Sequence, residues 1–476
     1  MTSSAVAAAP VPEPATPLHR AMGFRDLLLF YLVTGFTVRW IGSAATAGPS
    51  AVLIWLGAGL LFYVPLMFTV LELSSRYPHE GGCYVWSKRA FGDFAGFMTG
   101  WHYWTCNLPY FPGLFYFTAA CALFIGGASW QGLTDSPAYY ITFSLAALAV
   151  VVTLNVRGLG VGKWLHNVGA VGVWVPALLL MGLAAVSWYR FGPATPFTAE
   201  SLVPSTRLKD IIFWSTIAFS LSGLEGASMM GDEIRDPRRN IPRALLIAGT
   251  LIVLLYTLST VAMLVALPQA DVLSLQGFML SIREAADRVG AIGLTSITAL
   301  LITLGGLGQA GAWFAAGGRL PFVAGIDRFL PPAFGRVHPR YGSPHVSLLV
   351  QAAIAALFIF LGQAGTSVKG AYDVLVSMAI IGYFIPYLFM FASMIKLQSE
   401  PAGPGIMRVP GGRPVATLLG AMGFSVTAAA IVLALIPAAD EPDKVLAVTK
   451  VAGLTALLFL GGAAVYLRGR DRRRRA

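Results

Sequence analysis

Residues 219–244 read FSLSGLEGASMMGDEIRDPRRNIPRA, and this stretch decides how the chain is built. An apolar segment is interrupted by Ser220, Ser222 and Gly223, carries one carboxylate at Glu225, and continues into a basic loop. An ionisable residue inside a membrane is costly and usually functional, and transporters use discontinuous helices to place a substrate site at mid-membrane. The alternative is a packing helix with one hydrogen-bonded glutamate. The cost of burying the carboxylate favours the substrate site.

The composition of the whole chain is typical of a membrane protein. Its 476 residues are 56% hydrophobic and 12% charged, and the mean hydropathy is +0.71. The longest polar connections are about 20 to 26 residues, too short for a separate soluble core. Apolar runs long enough to cross a bilayer recur throughout. We predict an all-α polytopic membrane protein with twelve transmembrane helices, at 25–47, 50–73, 94–126, 138–155, 164–188, 210–232, 244–268, 290–318, 345–362, 371–396, 414–437 and 445–467.

The distribution of basic residues predicts the orientation. With the N-terminus inside, the cytoplasmic segments hold 24 of the 33 Lys and Arg residues, as the positive-inside rule expects. We therefore predict a multi-pass protein of the cell (plasma or inner) membrane with both termini in the cytoplasm. The basic end at 468–476 resembles a nucleic-acid patch, but contact with anionic lipid headgroups is the favoured interpretation. No nucleic-acid partner is expected.

A second interruption, at Thr34-Gly35-Phe36, lies in the first span, five spans before the one at Ser220 to Gly223. Each interruption alone fits close helix packing, since Gly and Ser are common in membrane helices. At matching positions they favour two inverted repeats around a central site. Four domains are predicted: a disordered cytoplasmic tail at 1–21, a ten-helix core at 22–400, two additional helices at 401–467, and a basic cytoplasmic tail at 468–476.

The sequence gives no indication of a metal site or another cofactor. Cys83, Cys106 and Cys121 lack CxxC spacing, and no His pairs with another His or a Cys at ligand spacing. An enzyme would need clustered His, Asp or Glu, or a nucleophile beside a base, and the sequence shows neither. We therefore expect no enzymatic activity.

Three stretches carry a resemblance to a known family. They are Gly35 through Pro49, the run ELSSRYP at 72–78 with Gly81 and Gly82, and Gly223-Leu224-Glu225 with DPRRNIPR at 236–243. Over about 22–467 the chain resembles the amino acid–polyamine–organocation transporters, whose core is the five-plus-five inverted-repeat fold of leucine transporters, with helices one and six discontinuous. It looks most similar to bacterial exchangers of the arginine/agmatine and glutamate/γ-aminobutyrate kind.

The resemblance implies a secondary-active amino acid transporter that works by alternating access, and we expect an exchanger. One alternative is a proton- or sodium-coupled symporter for an amino acid or amine. Another is a membrane sensor that binds an amino acid without transporting it. The expected partners are the small-molecule substrate and membrane lipid. A homodimer is left open.

The substrate site is predicted from both interruptions. Peptide N–H groups at Thr34-Gly35-Phe36 would bind a carboxylate, and carbonyls near Phe219 to Ser222 would bind an ammonium. Glycine would let the ligand approach the backbone. The resemblance implies a lid at Phe219, an indole at Trp313, and further contacts from spans three and ten. The predicted binding residues are Thr34, Gly35, Phe36, Cys106, Asn107, Phe111, Phe219, Ser220, Ser222, Gly223, Trp313 and Ala379.

Three residues are predicted to gate or couple transport, namely Glu225, Arg39 and Phe219. Arg39 and Glu225 are the charges we place deep in the bundle. Without a cation beside it, Glu225 could exchange a proton during the transport cycle. If it pairs with Arg39, Glu225 stays ionised and acts as a gate latch. Alternatively, Arg39 faces the outer vestibule and draws an anionic side chain inward. Where some proton-coupled relatives carry a lysine in span five, this chain has Val173, which disfavours a lysine-based mechanism.

Overall fold

The computed structural model describes residues 20–475 except 207, 273–275, 364–367, 402, 404–405 and 437–443. The described residues form helices and no strand, with one isolated bridge between Met22 and Ile234. The helices are α1 Phe24–Gly35, α2 Val38–Ala45, α3 Ala51–Ala58, α4 Val64–Arg76, α5 Cys83–Phe91, α6 Asp93–Ala122, α7 Pro137–Val156, α8 Leu159–Phe191, α9 Ala199–Leu202, α10 Leu208–Ser220, α11 Pro237–Ala266, α12 Gly277–Arg288, α13 Leu294–Ile326, α14 His345–Gln363, α15 Val368–Leu397, α16 Gly412–Ala434 and α17 Lys444–Arg475.

Eight helical segments of the described chain are long and apolar enough to cross a membrane. They are Phe24–Ala45, Gly48–Arg76, Pro137–Val156, Leu159–Phe191, Pro237–Ala266, Leu294–Gly325, Ala379–Leu397 and Gly412–Ala434. The protein is therefore an all-helical, multi-pass membrane protein. The total of twelve, the inverted repeat and the domain boundaries stay predictions, and residues 1–19 of the predicted tail lie outside the described residues.

The outward face of α8 shows why such a helix belongs in lipid. Its apolar side chains recur every three or four residues, which places them on one side of a helix. On the opposite side, small residues pack inward: a Cβ added to Gly169 would lie 2.4 Å from the Gly308 Cα of α13. The exposed side chains are Trp164, Val168, Val171, Val175 and Leu178.

The first interruption lies between α1 and α2. Phe36 (φ −128°, ψ 130°) and Thr37 (φ −143°, ψ 132°) are extended, so the helix stops at Gly35 and starts again at Val38. The last carbonyls of a helix have no partner within it. Here the Gln309 amide of α13 donates to the Val33 carbonyl at 3.0 Å. Neighbouring helices therefore hold the break open by packing and hydrogen bonds.

The second interruption follows α10, which ends at Ser220. Gly223 has φ +113°, a backbone conformation that favours glycine. A Cβ at this position would lie 3.0 Å from Trp313 Cζ2 and 3.1 Å from the Thr34 carbonyl oxygen. A short 3₁₀ segment, Gly226–Glu233, then leads to α11. The backbone of the second break therefore lies directly against the end of α1.

Candidate substrate site

A cavity lies beside the two breaks. It holds about 390 Å³ of empty space, its opening included. The side chains that line it are neutral, and they come from both broken helices and from α6, α11, α13 and α15. The lining residues are Thr34, Thr37, Trp40, Cys106, Asn107, Tyr110, Phe219, Ser220, Ser222, Tyr256, Trp313, Ala379 and Tyr383.

Most of the predicted binding residues lie in this wall. The eight that line the cavity are Thr34, Cys106, Asn107, Phe219, Ser220, Ser222, Trp313 and Ala379. The remaining four, Gly35, Phe36, Phe111 and Gly223, lie outside the lining. The Phe36 ring packs on Tyr256 at 4.7 Å, and the Phe111 ring packs on Phe314 at 5.2 Å, between ring centroids. The Phe36 ring therefore supports a lining residue, whereas Phe111 packs on a ring that does not line the cavity.

The two glycines have packing roles. A Cβ on Gly35 would lie 2.6 Å from Ile252 Cδ1, so this glycine lets α1 approach α11 closely. Gly223 lies behind the Trp313 indole, and its N–H donates to the Tyr387 hydroxyl at 3.0 Å. Both glycines therefore serve close helix packing, which was the alternative interpretation of each interruption. The helix is nevertheless broken at both places.

The polar wall offers mainly hydrogen-bond acceptors. The Thr34 hydroxyl donates to the Phe30 carbonyl at 2.9 Å, and the Ser220 hydroxyl donates to the Ile217 carbonyl at 2.7 Å. The Ser222 hydroxyl and N–H both donate to the Phe219 carbonyl, at 2.6 and 3.0 Å. The hydroxyl protons are thus used, while the hydroxyl oxygens keep lone pairs. An ammonium would meet hydroxyl oxygens here, and the predicted Phe219 carbonyl is already occupied.

Aromatic rings enclose the other sides of the cavity. Phe219 contacts Trp40 edge-on at 5.6 Å and Tyr383 edge-on at 5.6 Å between ring centroids. Trp313 meets Tyr383 at 5.8 Å in the same edge-on manner. The Trp313 Nε1 atom is buried and forms no hydrogen bond with a described residue. The wall therefore combines packed aromatic rings with a buried N–H donor on Trp313.

Glu225 lies next to the cavity and is fully buried. Its Oε1 accepts hydrogen bonds from the hydroxyls of Tyr103 at 2.5 Å and Tyr383 at 2.6 Å, and its Oε2 accepts one from Tyr387 at 2.5 Å. Hydrogen bonds to a carboxylate are short and strong. Tyr387 also accepts the Gly223 N–H, so one hydroxyl joins the carboxylate to the second break.

Arg39 borders a second cavity, which shares four wall residues with the first: Trp40, Tyr110, Phe219 and Ala379. The Arg39 guanidinium carbon is 4.5 Å from the centroid of the Trp40 ring. Among the described residues, the hydrogen-bond partners of the Glu225 carboxylate are three tyrosines. The pairing of Arg39 with Glu225 is therefore not what the structure shows.

Several residues that line the cavity or donate a hydrogen bond to Glu225 were missing from the prediction. Tyr103 lies one turn before Asn107 on α6, and Tyr387 lies one turn after Tyr383 on α15. Residues four apart share a helix face, so this spacing could have identified both. Trp40 and Tyr256 had no such signal, because their positions depend on where α2 restarts and on how α11 packs.

The described residues hold no group of three or more His, Cys, Asp or Glu side chains that could bind a metal ion. Cys106 lines the cavity, and all three cysteines are buried with free thiols.

Comparison with known proteins identifies the family. Residues 22–469 match the family described as amino acid permease. The chain belongs to the amino acid permease family. An uncharacterized transporter of Legionella pneumophila is 29% identical over 88% of this chain and 90% of its own length. An uncharacterized transporter of Mycobacterium tuberculosis is 26% identical over 88% of each chain. A probable agmatine/putrescine antiporter of Lactococcus lactis is 23% identical over 81% of each.

The family match confirms the resemblance stated from the motifs. Both the family and the relatives named as transporters indicate a transporter rather than an enzyme, and the family description implies an amino acid as the class of substrate.

Proposed function

We propose that this permease is a secondary-active amino acid exchanger that works by alternating access, with the cavity beside the two breaks as its substrate site. The observation that carries the proposal is the meeting of the breaks: a Cβ at Gly223 would lie 3.1 Å from the Thr34 carbonyl oxygen. Discontinuous helices that meet at mid-membrane present peptide dipoles to a substrate.

The cavity wall suits a zwitterion. The hydroxyl oxygens of Thr34, Ser220 and Ser222 would accept hydrogen bonds from an ammonium, since their protons are donated elsewhere. The buried Trp313 N–H would donate to a carboxylate. The aromatic wall would contact an apolar or cationic side chain.

We assign the gating roles as follows. Phe219 is the lid, because its ring lies between Trp40 and Tyr383. Glu225 is a latch that holds the second break through Tyr387, which bonds both the carboxylate and the Gly223 N–H. Movement of α10 during transport would break these hydrogen bonds and form others. Arg39, in the adjoining cavity, would attract the carboxylate of an arriving substrate.

The wider architecture belongs to the same proposal. It comprises twelve spans in a cell membrane, a five-plus-five inverted repeat, and both termini in the cytoplasm. Exchange is supported by the name of the Lactococcus lactis relative and by Val173 in span five. A proton- or sodium-coupled symporter and a non-transporting sensor are the alternatives.

Counterflow in proteoliposomes tests the proposal. Vesicles preloaded with one standard amino acid, agmatine or putrescine at a time should accumulate the labelled form of at least one of them without an imposed ion gradient. Ala379→Trp, which fills the cavity, should abolish this uptake, and Val171→Trp on the lipid-facing side of α8 should not. Uptake that requires a proton or sodium gradient would support the symporter. An absence of counterflow with every compound would contradict transport.

A further inference from the structure

Gln309 of α13 caps the end of α1. Its side chain is buried, with 1% of its surface exposed. The amide Nε2 donates to the Val33 carbonyl at 3.0 Å and to the Phe36 carbonyl at 3.5 Å. Val33 lies in the last turn of α1, and Phe36 is the first residue beyond it. A single side-chain amide therefore serves two carbonyls at the first break.

These carbonyls form the kind of site that otherwise attracts a cation. The last carbonyls of a helix lack partners and carry the negative end of the helix dipole. Inside a membrane such groups must be satisfied by the protein or by a ligand. In transporters with broken helices, carbonyls at half-helix C-termini coordinate the coupling sodium ion or proton. Here a neutral N–H group already occupies them.

Packing fixes the position of the Gln309 amide. The preceding residue, Gly308, lies so close to α8 that a Cβ on Gly169 would be 2.4 Å from its Cα. The same Cβ would be 3.2 Å from Val33 Cγ2, so α1, α8 and α13 meet at one point. The nearby titratable side chain of α8 is His166, whose ring lies 5.6 Å from that of Phe30 between centroids.

We propose that Gln309 makes substrate binding independent of a coupling cation. Its amide takes the place on the Val33 and Phe36 carbonyls that a cation would take, and it keeps the first break ready for substrate in the absence of any ion. The inference rests on the proposed transport function and specifies how it is coupled. A site preorganised by a neutral donor fits exchange of one solute for another.

The test uses the full-length protein in proteoliposomes, with the substrate found by counterflow. For the wild type, replacing sodium with choline should change the apparent affinity by less than about twofold. Gln309→Glu presents a carboxylate to two carbonyls. In choline at neutral pH, we expect it to lose about tenfold in affinity, or about 1.4 kcal/mol. Sodium should restore binding because hard cations prefer oxygen ligands, and acidic pH should do so because a protonated acid donates as the amide does.

Gln351→Glu is the matched control. Gln351 is also fully buried and donates to a backbone carbonyl of α13, that of Phe314 at 3.2 Å. Its hydrogen-bond partners among the described residues lie in α13 and α6. Its variant should acquire no dependence on sodium, and any effect of acid on it measures the general cost of burying a carboxylate. The wild type at the same two pH values reveals any contribution from His166. Comparing these proteins separates the chemistry of the α1 carbonyls from the general cost of burying a carboxylate.

The outcomes separate this inference from the proposed function. Wild-type counterflow that requires sodium would overturn the role of Gln309 and leave transport intact. Gln309→Glu with unchanged affinity in choline, or with a loss that neither sodium nor acid restores, would also overturn it. If Gln309→Glu fails to reach the membrane, the sodium independence of the wild type decides the inference. An absence of wild-type counterflow with any amino acid or amine would reject the transport proposal itself.

Discussion

Tyr387→Phe removes one hydroxyl that serves two partners at the second break. In the wild type, this hydroxyl donates to Glu225 Oε2 at 2.5 Å and accepts the Gly223 N–H at 3.0 Å. A hydrogen bond to a charged group contributes about 1.5–3 kcal/mol, and a buried N–H left without a partner costs about 1–3 kcal/mol. Together these terms predict a loss of roughly 2.5–6 kcal/mol in the free energy of unfolding.

The same change at two other tyrosines gives stability losses with which that of Tyr387→Phe can be compared. Tyr383→Phe should cost less, about 1.5–3 kcal/mol, because it removes one charged hydrogen bond while Tyr103 still donates to the same carboxylate oxygen. Tyr63→Phe is the control. The Tyr63 hydroxyl is buried and forms no hydrogen bond with a described residue, so its removal should be neutral or stabilising.

Thermal unfolding in detergent and counterflow in proteoliposomes are the two assays. We expect the midpoint to fall in the order Tyr63→Phe, Tyr383→Phe, Tyr387→Phe, and counterflow to be lost first in Tyr387→Phe because the second break loses its link to Glu225. Equal results for Tyr387→Phe and Tyr63→Phe in both assays would contradict the role assigned to the tyrosine hydroxyls that donate to Glu225.

Three further predictions concern the second break, the cavity wall and the buried acids Glu80 and Glu233. Gly223→Ala should weaken substrate affinity more than expression, because φ is +113° and the new Cβ would lie 3.0 Å from Trp313. Unchanged affinity would show that the new Cβ does not displace Trp313. Trp313→Ala should also weaken affinity more than membrane levels, and wild-type affinity would show that the ring only packs. Burial, and then the nearby Glu233, raise the pKa of Glu80 well above its usual value. Glu80→Gln should therefore raise the thermal midpoint at neutral pH, and this gain should shrink as the pH falls toward the ordinary pKa of glutamate and be absent below it. Glu233→Gln should instead lower the midpoint, because it breaks a 2.6 Å buried contact with Arg319; identical profiles for the two variants would contradict both assignments.

The sequence located both helix breaks, because glycine and hydroxyl residues inside an apolar run are visible without a structure. It could not tell what each glycine does. Gly35 faces Ile252 of α11, a contact between residues far apart in the sequence. The partners that hold the first break, Gln309 and Tyr256, are likewise distant along the chain. Tertiary packing decides these contacts, and local pattern does not report it.

The charges show a different limit of sequence reasoning. The sequence suggests that Arg39 pairs with Glu225, because a buried charge needs a partner and each is a charged residue inside a predicted span. The structure satisfies Glu225 with three tyrosine hydroxyls, which carry no formal charge. Neutral hydroxyls that stabilise a carboxylate cannot be found by counting charged residues.

Composition and helix hydropathy give different numbers of membrane spans. Composition predicts twelve, whereas eight segments of the described chain meet the length and hydropathy that crossing requires. The 30-residue helix α6 is long enough, but residues such as His102 and Asn107 lower its hydropathy. Helix α10 stops at the second break. Polar residues and the break thus weaken the apolar signal in two of the helices that line the cavity.

An experimental structure of the protein with the substrate identified by counterflow tests the central claim most directly. We predict ligand density in the cavity between the breaks, in contact with Thr34, Ser222 and Trp313, with residues 36–37 and 221–225 outside regular α-helix. Density at another place, or continuous α-helix through both segments with no cavity between them, would contradict it.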